Sequence, residues 1–109
     1  MESRNAKRDV KSVGPQEVQE RRELGLGPLL VGAFEDERQF DSHQLLHAIS
    51  ASNLESIAPF LAKDKEIIFY GIGDQRAEAV RLAVKYRDEG YWNVKLLDGD
   101  AGAWKAAGL

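Results

Sequence analysis

The chain predicts an α/β domain built on a parallel sheet, and three observations carry that expectation. Short apolar runs bounded by glycine, proline or acids recur at 28–34, 65–71 and 93–99, and each is followed by a segment suited to helix. Strands that alternate with helices become parallel neighbours, because a parallel pair needs a crossover between its members. The run Ile67-Ile68-Phe69-Tyr70 sets four large apolar residues in succession, the pattern of a strand covered on both faces. This strand is expected at the centre of a one-domain sandwich, with any ligand-facing edge at the strand C-termini.

Residues 1–9 mix charges without apolar period and are expected to be a frayed tail, leaving one domain over 10–109. VKSVG (10–14) suits a short edge strand. Gly14-Pro15 opens a helix to about Leu24, with proline fitted to a first turn and Gly25 placed to end it. PLLVGAF (28–34) is a buried strand, and EDERQFDS (35–42) suits one or two helical turns around Phe40, with Asp36, Glu37 and Arg38 on a solvated face. LLHAISA (45–51) is a further strand candidate. NLESIAPFLAKD (53–64) starts at an Asn53 cap and is kinked or divided by Pro59. RAEAVRLAVKYRDEG (76–90) is the best-marked helix: Ala79, Val80, Leu82, Ala83, Val84 and Tyr86 form a wide apolar arc, and Gly90 ends it. NVKLLDG (93–99) is a strand, and the closing helix carries Trp104 as a core anchor, whereas Trp92 is expected to be partly exposed.

Composition excludes several function classes. A length of 109 residues supports a single core. With 18 acidic against 15 basic residues the net charge is −3, which argues against a nucleic-acid or anionic-membrane surface. No apolar run approaches the roughly 20 residues that span a bilayer. MESRNAKRDVKS lacks the apolar core of a secretory signal, so a cytoplasmic location is expected. There is no cysteine, which removes disulfides, thiolate zinc sites, iron–sulfur ligation and all thiol chemistry. No cofactor is expected. His43 and His47 are four apart, as metal ligands on one helix face would be, but their surroundings suit a strand and no third ligand stands out.

The stretch DEGYWNVKLLDGDAGAWKAAGL (88–109) resembles the end of the rhodanese, or thiosulfate sulfurtransferase, family: a Gly-Tyr turn, Asn-Val, a strand, a glycine turn, then Ala-Trp-x-x-Ala-Gly. KDKEIIFYGIGDQRAEAVRLAVKYRDEG is similar to that family's central strand, active-site loop and following helix, and the resemblance extends over about 10–109. It implies a rhodanese-like three-layer α/β/α sandwich with a central, mainly parallel sheet of about five strands. It also marks departures. The position of the family's catalytic cysteine is Gly71, and the loop Gly71, Ile72, Gly73, Asp74, Gln75 and Arg76 holds no serine or threonine in its place. Arg76 falls on the basic residue that closes the loop, and Asp74 sits where glycine is usual. The early Leu-x-Asp-Val-Arg motif reads Leu30-Val31-Gly32-Ala33-Phe34, so its acid and base are lost at Gly32 and Phe34. Of the Gly-His-Ile-Pro-Gly-Ala stretch, SHQLLHAI keeps Ala48-Ile49. Six residues is the loop length of the sulfur-handling branch; the related cell-cycle phosphatases have a longer one and also need the cysteine.

Residues 71–76 are therefore expected to form a vestigial active-site loop with no catalytic residue. Its N–H groups, a helix N-terminus and Arg76 can still attract an anion, while the Asp74 carboxylate can occupy those N–H groups itself as a cap. A cysteine at 71 would, on this reading, face the same groups. The expectation is a domain that has lost sulfurtransferase activity and binds an unknown protein partner or small anion through the 71–76 face. The alternatives are an enzyme using Asp74 and Arg76, with neither Ser50 nor Ser52 marked as activated, or a structural unit of an assembly.

Overall fold

The computed structural model describes residues 10–25, 27–34, 36–45, 47–73 and 75–109. The expected tail (1–9) and Asp74 lie outside them. Five strands, β1 (Lys11–Val13), β2 (Leu29–Gly32), β3 (Ile49–Ser50), β4 (Ile67–Tyr70) and β5 (Val94–Leu97), form one sheet in the order β1-β5-β4-β2-β3. Every pairing is parallel, and β4 is central, as its apolar run predicts. The helices are α1 (Pro15–Glu23), α2 (Glu37–Ser42), α3 (Ala51–Ile57), α4 (Gln75–Asp88) and α5 (Ala101–Ala106).

Alternation along β4 divides the core into two layers. Ile67 and Phe69 join Leu54 of α3 and Ala79, Leu82, Ala83 and Tyr86 of α4 on one face. Ile68 and Tyr70 join Val18 of α1, Phe40 of α2 and Trp104 of α5 on the other. Both sides of β4 are thus sealed, which places its C-terminal end, and the loop after it, at the middle of the sheet's top edge. At the opposite edge, the Glu66 carboxylate accepts hydrogen bonds from Arg21 of α1 and, at 2.6 Å, from Lys95 Nζ of β5. Gly90 ends α4 as expected, at φ +105°, a conformation that glycine adopts without steric cost.

Two expectations are corrected. Among the described residues the run 45–51 yields a strand of only Ile49–Ser50, because His47 takes φ +63°, which breaks an extended path, and Ala51 is already helical. The helix after it is capped by Ser50 rather than Asn53: Ser50 Oγ accepts the Asn53 N–H at 3.1 Å, so the helix starts earlier than predicted. Pro59 does divide that segment, in a 3-10 turn over Ala58–Phe60.

Candidate functional site

Gly71 follows β4 directly and is buried. A Cβ on Gly71 would stand 2.2 Å from the Gln75 carbonyl oxygen, 2.5 Å from its carbon and 3.0 Å from Arg76 N. These are backbone atoms of the first turn of α4, so no rotamer change relieves the overlap. The loop has closed over the space that a side chain at 71 would need. This corrects the expectation that a cysteine there would face open N–H groups. Two of those groups are also engaged within the loop: Gln75 N–H donates to the Ile72 carbonyl and Arg76 N–H to the Gly73 carbonyl, both at 3.1 Å. Arg76 is exposed, and its Nη1 donates to the Gly99 carbonyl at 2.9 Å, tying the start of α4 to the turn after β5. The cavity beside Gly71, walled by Phe69, Ala79, Val80 and Leu96, holds only about 60 Å³, well below the ~300 Å³ at which small-molecule pockets begin.

On the opposite face of β4 an aromatic cluster fills the ground beside the loop. Phe34 stacks on His43, with ring centroids 5.6 Å apart, and meets the edge of Tyr70 at 5.8 Å. Tyr70 in turn meets Trp104 edge-on at 5.4 Å. The Tyr70 hydroxyl donates to the His43 carbonyl at 3.0 Å and accepts the Leu45 N–H at 3.2 Å, pinning the α2–β3 connection to the central strand. Gly32 has no room for a side chain: its Cβ would lie 2.8 Å from Phe40 Cδ1 and 3.0 Å from the Tyr70 hydroxyl.

The two histidines are not brought together. His43 follows α2, with Nδ1 donating to the Gln39 carbonyl at 3.0 Å. His47 lines a separate depression with Gln19 and Pro28. Among the described residues no group of three or more His, Cys, Asp or Glu side chains could hold a metal. Ser50 is spent as the α3 cap and Ser52 is an exposed helix residue, so neither is poised as a nucleophile. Trp104 is buried, its indole N–H donating to the Asp98 carbonyl at 2.7 Å, whereas Trp92 is 67% exposed.

The Rhodanese-like domain family model matches residues 33–107. The chain belongs to the rhodanese-like domain family. Its fold is similar to the crystal structure of the Alr3790 protein from Anabaena, with 26% identity over 88% of this chain and 87% of that one and a TM-score of 0.68. It is also similar to a single-domain sulfurtransferase of Saccharomyces cerevisiae (22% identity, 91% of each chain, TM-score 0.61). A third similar structure is the homodimeric polysulfide-sulfur transferase of Wolinella succinogenes, at 17% identity over 97% of this chain and 80% of that one, with a TM-score of 0.65. The last two speak to the fold alone. No curated protein matches the chain in sequence. Among the described residues no helix is long and apolar enough to cross a membrane.

In this rhodanese-like domain the positions where family resemblance expects an acid and a base, Gly32 and Phe34, are built into the aromatic cluster. Sequence reasoning found those losses but not what replaces them. The available signals were Phe40, alone among polar neighbours, and Tyr70, the one residue of the β4 run with a polar atom to satisfy.

That hydroxyl gives a testable consequence. Burial raises the Tyr70 phenol above its ordinary value of 10.0, against a smaller lowering by the Leu45 N–H. The folded state therefore favours the protonated phenol, and its contribution is complete below the unfolded value and is lost as pH climbs through and beyond it. Tyr70→Phe is expected to cost about 1–3 kcal/mol at neutral pH, because the buried Leu45 N–H loses its partner. It should also flatten the decline of stability above pH 10. Denaturant melts of both proteins from neutral to alkaline pH test this; parallel curves would show that Tyr70 does not set the alkaline limit.

Proposed function

We propose that this rhodanese-like domain has lost sulfurtransferase activity and acts as a binding module through the face around residues 71–76. The observation that carries the reading is the closed backbone at Gly71, where even a Cβ overlaps Gln75. Sulfur transfer by a persulfide route needs a thiolate at the end of the central strand. This chain has no cysteine to supply one, and the loop leaves it no space. The aromatic cluster supports the same reading, since its rings enclose Gly32 and include Phe34, the two positions where the family resemblance expects an acid and a base. What persists is a top edge carrying the strand-to-helix loops, the place where parallel sheets present ligands. A small anion or a protein partner in the cytoplasm completes the proposal.

The purified chain is expected to transfer no sulfur from thiosulfate to cyanide above the uncatalysed rate. Turnover in a preparation shown to be free of contaminating sulfurtransferase would overturn the loss of activity. Thermal melts against small anions and sulfur compounds test binding, because a ligand selective for the folded state raises the melting temperature.

A further inference from the structure

We infer that the cleft between the α2–β3 connection and α5 binds a small organic anion with an apolar body, such as an aryl or branched aliphatic carboxylate, through Lys105. The inference rests on the reading of the top edge as a binding face and assigns it a site and a ligand class. The cleft encloses about 410 Å³, within the range of small-molecule pockets, where the cavity beside Gly71 does not reach it. Leu45, Ile72 and Trp104 supply apolar wall. The polar rim is His43 and Lys105 with Ser42 and Gln44, whose hydroxyl and amide N–H already donate to the Arg38 and Ala48 carbonyls.

The wall is preorganised. Trp104 is 1% exposed and fixed by its bond to Asp98, and the Leu45 backbone is held by the Tyr70 hydroxyl. On the rim, the His43 ring is held by its Nδ1 bond to the Gln39 carbonyl and by its stack on Phe34.

Charge sets the sign of that ligand. The chain carries an excess of acids, yet among the described residues no acidic side chain lines the cleft. Lys105 forms no ion pair with any described residue. The nearby Asp100 carboxylate accepts the Ala103 N–H at 2.9 Å as the α5 cap. One lysine over an apolar floor favours a single negative charge attached to a hydrocarbon body. A bare inorganic anion would surrender hydration against those walls without recovering it in hydrogen bonds.

The test is a titration of the isotope-labelled full chain, followed by amide chemical shifts, with phenylacetate as probe. 2-Phenylethanol serves as its neutral counterpart and sulfate as the anion without a body. Phenylacetate should shift residues 43–45, 72 and 102–109 saturably, with 2-phenylethanol and sulfate each at least about tenfold weaker, or about 1.4 kcal/mol. Lys105→Gln changes an exposed residue, and should weaken phenylacetate about tenfold while leaving 2-phenylethanol unchanged. Gly102→Leu, whose Cβ would meet only Asp100 Oδ1 at 3.4 Å, fills the cleft and should abolish the shifts. Absent saturation, equal affinity for phenylacetate and 2-phenylethanol, or an unaffected Lys105→Gln variant would each overturn the inference. Shifts confined to 71–76 would retain the binding face but refute this cleft. Sulfur transfer, measured separately, would refute only the loss of activity.

Discussion

Gly71→Cys is expected to destabilise the domain by at least about 2 kcal/mol, and not to create a working thiol, because its Cβ has nowhere to go. The overlap is with the carbonyl of Gln75, at the first turn of α4. Relief requires the helix start to move away from β4, which also strains the Arg76 bond to Gly99 that ties that turn to the end of β5. For a domain of about this size each kcal/mol lowers the melting temperature by roughly 4–8 °C. Gly71→Ala tests the steric part without sulfur chemistry and should melt nearly as low as the cysteine variant. Thiol labelling of Gly71→Cys should be slow in the native state and speed up with denaturant, since only an opened loop exposes the sulfur. A wild-type melting temperature in Gly71→Ala, or rapid native labelling of Gly71→Cys, would show that the loop opens freely and would remove the main support for the non-catalytic reading.

That loop also marks where sequence reading stops. The centrality of β4 was legible because four successive large apolar residues leave no face for water, and the two-layer core confirms it residue by residue. The ends of α1 and α4 were legible from Gly25 and Gly90, whose left-handed backbone few other residues accept. The strand at 45–51 misled, because Leu45 belongs to a connection pinned by the Tyr70 hydroxyl, a contact 25 residues away in sequence. Gly71 misled in a subtler way. In the sequence it is a missing side chain; in the fold it is a close approach of two backbone segments, which no residue pattern announces. Likewise His43, Ile72 and Lys105 share a cleft only because α2, the β4 loop and α5 converge on one edge.

Gly32→Asp, which returns the acid expected by family resemblance, should be the more damaging restoration, costing about 3 kcal/mol or more from overpacking and an unpaired buried carboxylate together. The position is sealed by Phe40 at 2.8 Å and by the Tyr70 hydroxyl at 3.0 Å from a Cβ. The base expected to accompany the acid is absent, since Phe34 occupies that position within ring stacks to His43 and Tyr70. Gly32→Ala isolates the contact with Phe40, and the further loss in Gly32→Asp reports the cost of burying the carboxyl group and, at higher pH, of keeping it protonated. Because burial opposes ionisation, the carboxyl should stay protonated in the fold, so the gap between the Ala and Asp variants should widen as pH rises above the ordinary aspartate value of about 4. Combining Gly32→Asp with Phe40→Ala removes the nearest obstruction and admits water, and should narrow the gap even though Phe40→Ala alone is destabilising, by about 3–5 kcal/mol. Denaturant melts of the wild type, the three single variants and both Gly32 substitutions combined with Phe40→Ala, across acidic to neutral pH, decide the matter. If Gly32→Asp keeps wild-type stability at neutral pH, the cluster yields readily, and this position is one substitution from holding a charge.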